Sequence, residues 1–327
     1  VYGLKQANRI FDENFAKLLT DLGYRRCPSD LYIFVKQCPI NPTDFLDLDM
    51  HVDDGAYNGT STYLLKELKA AMLKRYGPKL VFEDGPGGIC GVDIALTPDG
   101  LQVSMEPYIL DFLSSAGMKD VPPALTPSLL QPGGYFAPST GALLSPSAVK
   151  QFQSNNGAMI YMEPVRGDIK KEVNHLLTKG LAPRTGDKSK QIQVMRYLKG
   201  TPKLGPLFSN NPADYAKGVV IQAATDASHG VHPESGKGHS AWTIQVGTNN
   251  AAFATYSSAT KGGVAWSPHD DEYMTMGHCA RALMYFRKLA AEVRYPQPAT
   301  PIASDSMTSI NLATAPAISR RSRHISQ

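Results

Sequence analysis

Apolar and polar residues alternate through residues 46–52, a period of two that is typical of a half-buried strand. The apolar members of the pattern are Leu46, Leu48, Met50 and Val52. The alternation stops at Asp53 and Asp54, and Gly55 and an Asn58–Gly59 turn signal follow. The pattern predicts a hairpin whose tip holds like charges close together. Magnesium bound by carboxylates and substrate phosphates would neutralise them, and a solvated turn is the alternative.

Helical and strand periods alternate along the first 120 residues. Helices are predicted at 11–23, 62–76 and 107–116, and short strands at 31–35, 89–96 and 101–105. Gly23, Gly77 and Gly117 stand where these helices would stop. Residues 121–148 contain six prolines, few charges and no periodicity, which predicts a linker and a domain boundary. Helices are expected again at 148–162, 168–181 and 187–200.

The last third of the chain predicts three strands, a helix, a strand and a helix. The predicted strands are 218–225, 240–246, 251–257 and 299–304, and the helices are 267–293 and 306–313. Asp226 and Asp305 each end a predicted strand, and Glu272 lies in the first turns of the long helix. If the two strands pair in parallel, their ends lie side by side and the helix start faces them. Three converging carboxylates favour a two-metal phosphodiesterase site.

The alternative role of Glu272 is to compensate the helix dipole at an N-terminus. Three histidines, His229, His232 and His239, lie in a stretch rich in Gly, Ser and Pro without regular spacing. This arrangement favours loop residues over metal ligands.

Composition describes a folded protein of 327 residues, with 42% hydrophobic and 19% charged residues. No apolar run approaches the roughly 18 residues of a membrane span. The four cysteines lack metal-ligand spacing, which predicts free thiols. Residues 166–203 carry 10 Lys and Arg against 3 Asp and Glu, consistent with either phosphate-backbone contacts or an ordinary solvated surface. Val1 starts in mid-pattern, so we expect a piece of a longer polypeptide.

Motifs in one order along nearly the whole chain resemble the reverse transcriptase and ribonuclease H portion of a copia-type LTR retrotransposon Pol polyprotein. The first block is Val1-Tyr2-Gly3-Leu4-Lys5-Gln6-Ala7-Asn8-Arg9, and His51-Val52-Asp53-Asp54 falls on the family's Tyr-Val-Asp-Asp. Later blocks are Ile89-Cys90-Gly91-Val92-Asp93, Arg196-Tyr197-Leu198-Lys199-Gly200-Thr201, Asp226-Ala227-Ser228, Asp271-Glu272-Tyr273, Ser304-Asp305-Ser306 and Arg321-Ser322-Arg323-His324-Ile325.

The resemblance implies an α/β and α+β chain: a partial right-hand polymerase palm and thumb, then a ribonuclease H-like domain with a mixed sheet and flanking helices. The implied domains are palm and thumb at 1–120, a Pro-rich linker at 121–148, a basic connection at 149–212 and the ribonuclease H-like domain at 213–327. Asp53 and Asp54 would bind catalytic Mg²⁺ (or Mn²⁺) for nucleotidyl transfer. Asp226, Glu272 and Asp305 would hold the ions that cut RNA in an RNA–DNA hybrid.

The resemblance also implies binding roles and partners. Nucleotide and template contacts fall on Gly3, Lys5, Gln6 and His51, and duplex-backbone contacts fall on Arg166, Lys170, Lys171, Arg196 and Lys199. The implied partners are an RNA–DNA hybrid, a primed RNA template, a dNTP where the polymerase is complete, and the N-terminal polymerase part of the same polyprotein; no membrane is implied. The implied location is cytoplasmic, in a virus-like particle with nuclear entry, and not secreted.

Departures from the family pattern lead us to expect an incomplete enzyme. The chain starts after the fingers and an earlier palm aspartate, His51 replaces the usual Tyr, and Gly167 replaces Pro. Ser326 stands where a fourth ribonuclease H acid is usual. The sequence therefore predicts no DNA synthesis and weak or absent RNA cleavage by the isolated chain. The rival hypotheses are a non-catalytic, decayed or repurposed nucleic-acid-binding remnant and a chain that folds poorly.

Overall fold

The computed structural model describes residues 6–52, 54–129, 134–216, 218–247, 252–259 and 265–315. The chain is a mixed α and β protein with several sheets and helices, in agreement with the coarser part of the predicted fold class. It divides into two compact units. Unit 1 comprises residues 1–91 with 285–297, and unit 2 comprises residues 92–284 with 298–327.

Unit 1 packs two helices on a four-stranded sheet. Its elements are α1 (Ala7–Asp21), β1 (Arg25–Arg26), β2 (Ile33–Gln37), β3 (Phe45–His51), β4 (Asp54–Gly59), α2 (Thr62–Tyr76) and β5 (Gly88–Ile89). The sheet order is β1-β2-β3-β4, and all neighbours are antiparallel. α2 has the predicted bounds because Ser61 caps it, accepting a hydrogen bond from the N–H of Leu64, and Gly77 ends it at a φ of 85°.

The predicted hairpin is present, but its turn differs from the expected one. Asn58 and Gly59 do not form a turn; they continue β4, where they are the partners of Asp47 and Leu46 in β3. Strand pairing therefore outweighs the local turn preference of the Asn-Gly pair. Val52, with a φ of 58°, follows the end of β3, and Asp53 lies outside the described residues.

The core of unit 1 lies between the helices and one face of the sheet. Its buried members include Phe15, Leu19, Phe34, Leu46, Leu48, Leu64 and Leu68. Polar residues of the same unit meet residues 285–297. The Arg294 guanidinium pairs with Asp47 and lies 4.0 Å from the centre of the Phe45 ring, and Glu292 accepts hydrogen bonds from Ser29. The period-2 pattern of β3 thus separates an apolar core face from a polar face.

Unit 2 contains the remaining elements. They are β6 (Val92–Thr97), β7 (Gly100–Ser104), α3 (Glu106–Ser115), α4 (Pro146–Met162), α5 (Lys170–Thr178), α6 (Thr185–Gly200), β8 (Leu207–Ser209), β9 (Ile221–His232), β10 (Lys237–Val246), β11 (Ala252–Ala259), α7 (Pro268–Glu292), β12 (Ile302–Ala303) and α8 (Met307–Thr314). Strand β7 pairs antiparallel with both β6 and β8. Helix α7 runs to Glu292, so its last residues are counted with unit 1.

Helix α3 and helices α4–α6 share one hydrophobic core, although the Pro-rich segment separates them in sequence. Ile109 and Leu113 of α3 belong to the same buried cluster as Phe152, Met159 and Leu198. The described parts of the Pro-rich segment are packed as well, since Tyr135 is buried and Ser139 donates to Asp187. The predicted domain boundaries stay a prediction, and the two compact units divide the chain at other positions.

A second four-stranded sheet in unit 2 has the order β11-β10-β9-β12. β9, β10 and β11 form an antiparallel meander, and β12 is parallel to β9, with Ile302 opposite Ala223 and Ala303 opposite Ala224. The parallel pairing that was the condition for bringing Asp226 and Asp305 together is therefore present. α7 lies against this sheet, because Thr275 donates to Ser240 of β10.

The sequence predicted free cysteines and no membrane span. Cys27, Cys38, Cys90 and Cys279 are free thiols, as predicted. Across the described residues, every helix is too short or too polar to cross a lipid bilayer.

Candidate metal centre

Three carboxylates from distant parts of the chain meet in unit 2. One oxygen from each of Asp226, Glu272 and Asp305 lies within 4.8 Å of the others. The parallel register explains the meeting, because Asp226 and Asp305 each stand two residues beyond the Ala224–Ala303 pair. Helix α7 brings Glu272 to the same place. The structure therefore assembles the three carboxylates that the sequence analysis singled out.

Asp226 occupies a different position in its strand from the predicted one. The sequence placed it at a strand end, but β9 continues to His232, and Asp226 is the partner of Ala241 in β10. β9 keeps its antiparallel partner on one side, while β12 stops at Ala303 on the other. The carboxylates thus gather beside β9 where the parallel pairing ends.

Glu272 is the buried member of the set, at 8% exposure, whereas Asp226 and Asp305 are exposed. Its Oε1 accepts a hydrogen bond from the backbone N–H of Ala227 at 3.0 Å. Its Oε2 is buried and has no hydrogen-bond partner among the described residues. Burial raises the pKa of Glu272, and the charges of Asp226 and Asp305 raise it further. The side chain therefore contacts β9 in addition to lying near the start of α7.

The donor set fits a hard divalent cation. Three carboxylate groups offer only oxygen ligands, which Mg²⁺ and Mn²⁺ prefer. The orphaned Oε2 of Glu272 is a buried acceptor without a donor, and a cation would compensate both it and the repulsion within the set. We conclude that the residues present are suited to the ion that the sequence pattern implied.

Replacing Glu272 with Gln is expected to stabilise the ion-free fold at pH 7. The reason is that the fold holds this carboxyl at a raised pKa, so the ionised form is disfavoured there, while Gln can still accept from Ala227. Urea unfolding in EDTA measures the change. Glu83→Gln, at an exposed position, is the control and should change the free energy of unfolding by less than about 0.5 kcal/mol. A destabilised E272Q would contradict the predicted repulsion.

The second acidic pair is only partly described. Asp54 begins β4 as an exposed residue and is the partner of His51 at the end of β3. Asp53, Gly3 and Lys5 lie outside the described residues. Gln6 is exposed and occupies the N-cap position of α1, where its side chain makes no capping hydrogen bond. The roles implied for these six residues stay predictions.

Arg166, one of the residues implied to contact a nucleic-acid backbone, is bonded within unit 2. Arg166 is fully buried, and its guanidinium donates to both carboxylate oxygens of Asp168, at 2.9 and 2.7 Å. It also donates to the carbonyl and hydroxyl oxygens of Thr201, both at 2.8 Å, and lies over the ring of Tyr197. The guanidinium is therefore bonded within the fold, and the implied contact of Arg166 with a nucleic-acid backbone stays a prediction.

The other predicted phosphate contacts are mostly bonded within the fold too. Lys199 donates to the carbonyls of Met118, Lys119 and Val121, and Arg196 donates to that of Pro122. These bonds hold the chain that follows α3, so the recognisable block at 196–201 has a structural role. Lys170 Nζ donates to the carbonyl of Thr255 at 2.6 Å, and burial lowers its pKa. Lys171 is 43% exposed and lies 3.2 Å from a carboxylate oxygen of Glu172.

The histidines predicted as loop residues lie in strands. His232 ends β9 and His239 lies in β10; both are buried, and their rings are joined by a 3.0 Å contact between Nε2 and Nδ1. The loop prediction was wrong for all three histidines, since His229 also lies in β9, because β9 and β10 extend well past Asp226 through the Gly- and Ser-rich stretch. His175 of α5 and Phe136 of the Pro-rich segment complete a ring cluster with them.

An open cleft of about 410 Å³ lies beside this cluster and reaches Asp226. Its lining includes Phe136, Asp168, Lys171, Asp226, Ser228, His239, Thr255 and Ser257. No local sequence pattern predicts this cleft, since its walls come from segments about 100 residues apart. His175 was also missed, and the only sequence signal was its place among the apolar residues of α5.

Comparisons with known proteins agree with the motif reading. No protein-family model matches the chain. It is 24% identical, over 99% of its length, to the retrovirus-related Pol polyproteins from transposons RE2 and RE1 of Arabidopsis thaliana. The chain spans only 21% of the length of each. It is also 27% identical over 241 residues to an uncharacterized mitochondrial protein of Arabidopsis thaliana, covering 72% of this chain and 92% of that protein. The predicted resemblance to a retrotransposon Pol polyprotein is confirmed.

Proposed function

We propose that this chain is the part of a retrotransposon Pol polyprotein in which Asp226, Glu272 and Asp305 bind a divalent cation for the cleavage of RNA in RNA–DNA hybrids. The observation that carries the proposal is the convergence of these three carboxylates within 4.8 Å. Such a set is costly without a cation, because burial and like charge both oppose ionisation of Glu272. The similarity to Pol polyproteins over 99% of the chain supports the substrate class.

Each residue has a distinct part in the proposed site. Asp226 and Asp305 are exposed and would supply oxygen ligands that a cation can reach from solvent. Glu272 is fixed through Oε1 by the backbone of β9, which leaves Oε2 as its free ligand atom. When bound, a divalent cation would supply Lewis acidity and a water of lowered pKa. The proposed fold is a ribonuclease H-like sheet of β9–β12 with α7 and α8.

For unit 1, we propose that the hairpin of β3 and β4 is the palm hairpin of a polymerase active site. Asp54 at the start of β4 supports this, since it is exposed at the hairpin end and faces His51. A primed RNA template and a dNTP would be the ligands of the complete polyprotein. The rival hypothesis of a non-catalytic nucleic-acid binder is less favoured, because three converging carboxylates suit cation-dependent cleavage and would repel phosphates in a site that only binds nucleic acid.

Cation binding tests the proposal, measured by Mn²⁺ electron paramagnetic resonance and checked with Mg²⁺ competition. Asp226→Asn and Asp305→Asn should each lower Mn²⁺ affinity at least tenfold, roughly 1.4 kcal/mol or more. Manganese-dependent cleavage of a labelled RNA–DNA hybrid should fall with the affinity. Asp99→Asn removes an exposed carboxylate of unit 2 and serves as the control. Wild-type chain that binds no Mn²⁺, or variants that bind as tightly as wild type, would contradict the site.

A further inference from the structure

We infer that Ser257 is an activated nucleophile, with His239 as its general base and His232 as the residue that positions that base. The substrate class is a small carboxylic ester, cleaved by acyl transfer to the serine. This activity is separate from the proposed function and does not involve the candidate metal site. Two observations point to it: a hydrogen-bonded row of one hydroxyl and two imidazoles, and the open cleft that the hydroxyl and the first imidazole line.

The three side chains form a continuous row of hydrogen bonds. Ser257 Oγ lies 2.7 Å from Nε2 of His239, and Nδ1 of the same ring lies 3.0 Å from Nε2 of His232. At these distances a hydroxyl can pass its proton to a base while a third group orients that base. With a proton on Nδ1 donated to His232, the Nε2 of His239 accepts from the serine hydroxyl.

The pairing of β10 with β11 places the serine beside the histidine. Ser257 is the partner of Ala241, and His239 lies two residues before Ala241 in β10, so both side chains project from the same face of the sheet. The small side chain of Ala241, which also lines the cleft, leaves room for a ligand beside the hydroxyl. The Phe136 ring, with its centre 5.0 Å from that of His239 and 4.3 Å from that of His232, holds both imidazoles in place.

The surroundings of His239 keep its ring in the basic, neutral form. The ring is 7% exposed, and burial lowers its pKa to about 4, with smaller contributions from His232 and from the Lys171 ammonium. Lys171 also lines the cleft, where its positive charge can stabilise the oxyanion that forms on an ester carbonyl. The other charged or titratable groups around the row include Asp168 and Asp226 in the cleft wall and, around His232, His175, Lys179, Glu234 and Lys237.

The cleft has the size and lining for a small ester. Its volume of about 410 Å³ is within the range of small-molecule sites. Phe136 supplies an apolar surface, and Ser228, Thr243 and Thr255 supply hydroxyl groups. An apolar ring, several hydroxyls and one ammonium together suit a short acyl chain with a polar carbonyl better than a long apolar chain.

The acyl transfer balances. The Oγ of Ser257 forms a bond to the carbonyl carbon while its proton passes to Nε2 of His239 and the carbonyl π electrons move to the oxygen. When this intermediate collapses, the bond between the carbon and the alcohol oxygen breaks, and that oxygen leaves with the electron pair and takes the proton from Nε2. Water then attacks the acyl group by the same route. The products are an alcohol and a carboxylic acid, and Ser257 regains its proton.

A fluorophosphonate probe tests the nucleophile directly, because it phosphonylates activated serines with loss of fluoride. The full chain should be labelled at Ser257, located by peptide mass spectrometry, and Ser257→Ala should lose this label. Ser258→Ala is the matched control, since Ser258 pairs with Ser240 on the opposite face of the sheet, and it should label as wild type does. His239→Gln should lower the labelling rate about 100-fold. The rate of p-nitrophenyl acetate hydrolysis should fall in parallel.

Two substitutions at His232 test the positioning role. His232→Phe removes the acceptor for Nδ1 of His239 and should lower the labelling rate about tenfold, as the loss of one hydrogen bond would. His232→Gln keeps an acceptor and should retain most of the wild-type rate. A residue that only packs against Phe136 would give the opposite order, because Phe preserves the ring contact and Gln does not.

The pH dependence separates this role from that of a serine that only completes a hydrogen bond to a buried ring. A neutral base activates Ser257 equally across pH 6–8, so the labelling rate should change less than about twofold in this window. A serine without a base reacts through its alkoxide, and its rate would rise about tenfold per pH unit. This measurement uses the wild-type chain, so it decides the matter even where His239→Gln does not fold.

EDTA should leave the labelling unchanged, which separates this result from the proposed function. The assignment is overturned by the absence of a label on Ser257, by a rate that rises with pH, by labelling that EDTA abolishes, or by a wild-type rate in folded His239→Gln protein. The first, second and fourth of these results would leave the proposed cation site intact. A chain that binds no Mn²⁺ but is labelled at Ser257 with a flat pH profile would overturn the proposed function alone.

Discussion

Acidification from pH 7 to pH 4 is expected to lower the free energy of unfolding of unit 2 by about 4–6 kcal/mol, through buried histidines alone. Burial is the first cause of the lowered pKa of His175, about 3, and of His239, about 4. The nearby Lys190 ammonium and His232 add to the effect on His175 and His239 respectively. The fold keeps these rings neutral, and the unfolded chain does not.

The sign follows from proton counting. Between the ordinary histidine pKa of about 6.5 and the folded values, the unfolded state binds more protons than the folded state. Stability therefore rises with pH through this window and is lost as pH falls below about 6.5. Each such histidine contributes a slope of roughly 1.4 kcal/mol per pH unit. The loss for two histidines is comparable with the whole stability of a typical domain.

Urea unfolding followed at a series of pH values tests this expectation. His175→Phe removes one titrating ring, so the slope between pH 6 and pH 4 should fall by about 1.4 kcal/mol per pH unit whatever the variant's absolute stability. His269→Phe, at an exposed position, should leave the slope unchanged. If the His175→Phe slope equals that of wild type, this ring is not held neutral in the folded protein.

The ring cluster of Phe136, His175, His232 and His239 illustrates which structural features local sequence patterns can predict and which they cannot. The bounds of α2 could be predicted because Ser61 and Gly77 act on their own neighbours. The meeting of Asp226 with Asp305 could be predicted because parallel pairing brings equivalent strand positions together. The burial of His232 could not, since it depends on Phe136, a residue nearly 100 positions away, whose ring centre lies 4.3 Å from that of the histidine.

Charge patterns were the least informative signal, because a count of basic residues does not report what each one contacts. Lys190 is buried and donates to the carbonyl of Tyr135 at 2.6 Å, although it belongs to the basic block for which phosphate contacts and an ordinary solvated surface were the two interpretations. The same block contains Lys188, which is exposed. Only tertiary contacts separate these two lysines. Acidic positions were easier to interpret, since parallel pairing of two strands brings Asp226 and Asp305 to equivalent positions.

Replacing Arg166 with Met is expected to lower the free energy of unfolding by about 3–5 kcal/mol. The substitution removes four hydrogen bonds to Asp168 and Thr201 and leaves Asp168 without its bidentate partner. Arg166→Lys should recover less than half of the loss, because an ammonium cannot reproduce the planar guanidinium contacts. Chemical denaturation of both variants measures the changes, with Lys188→Met as the exposed control, expected within about 0.5 kcal/mol of wild type.

The same variants decide between the two roles considered for this arginine. A residue that contacts phosphate lowers hybrid affinity when it is removed and reduces the dependence of binding on salt, with little effect on folding. Removal of a residue that is bonded within the fold, as Arg166 is, should have the opposite effect. Stability falls, while the salt dependence of any hybrid binding by the folded Arg166→Lys protein stays that of wild type. A stable Arg166→Met protein with weakened, less salt-dependent binding would restore the nucleic-acid role. The burial of the guanidinium and its contacts with Thr201 are the physical reasons to expect a loss of stability with unchanged salt dependence.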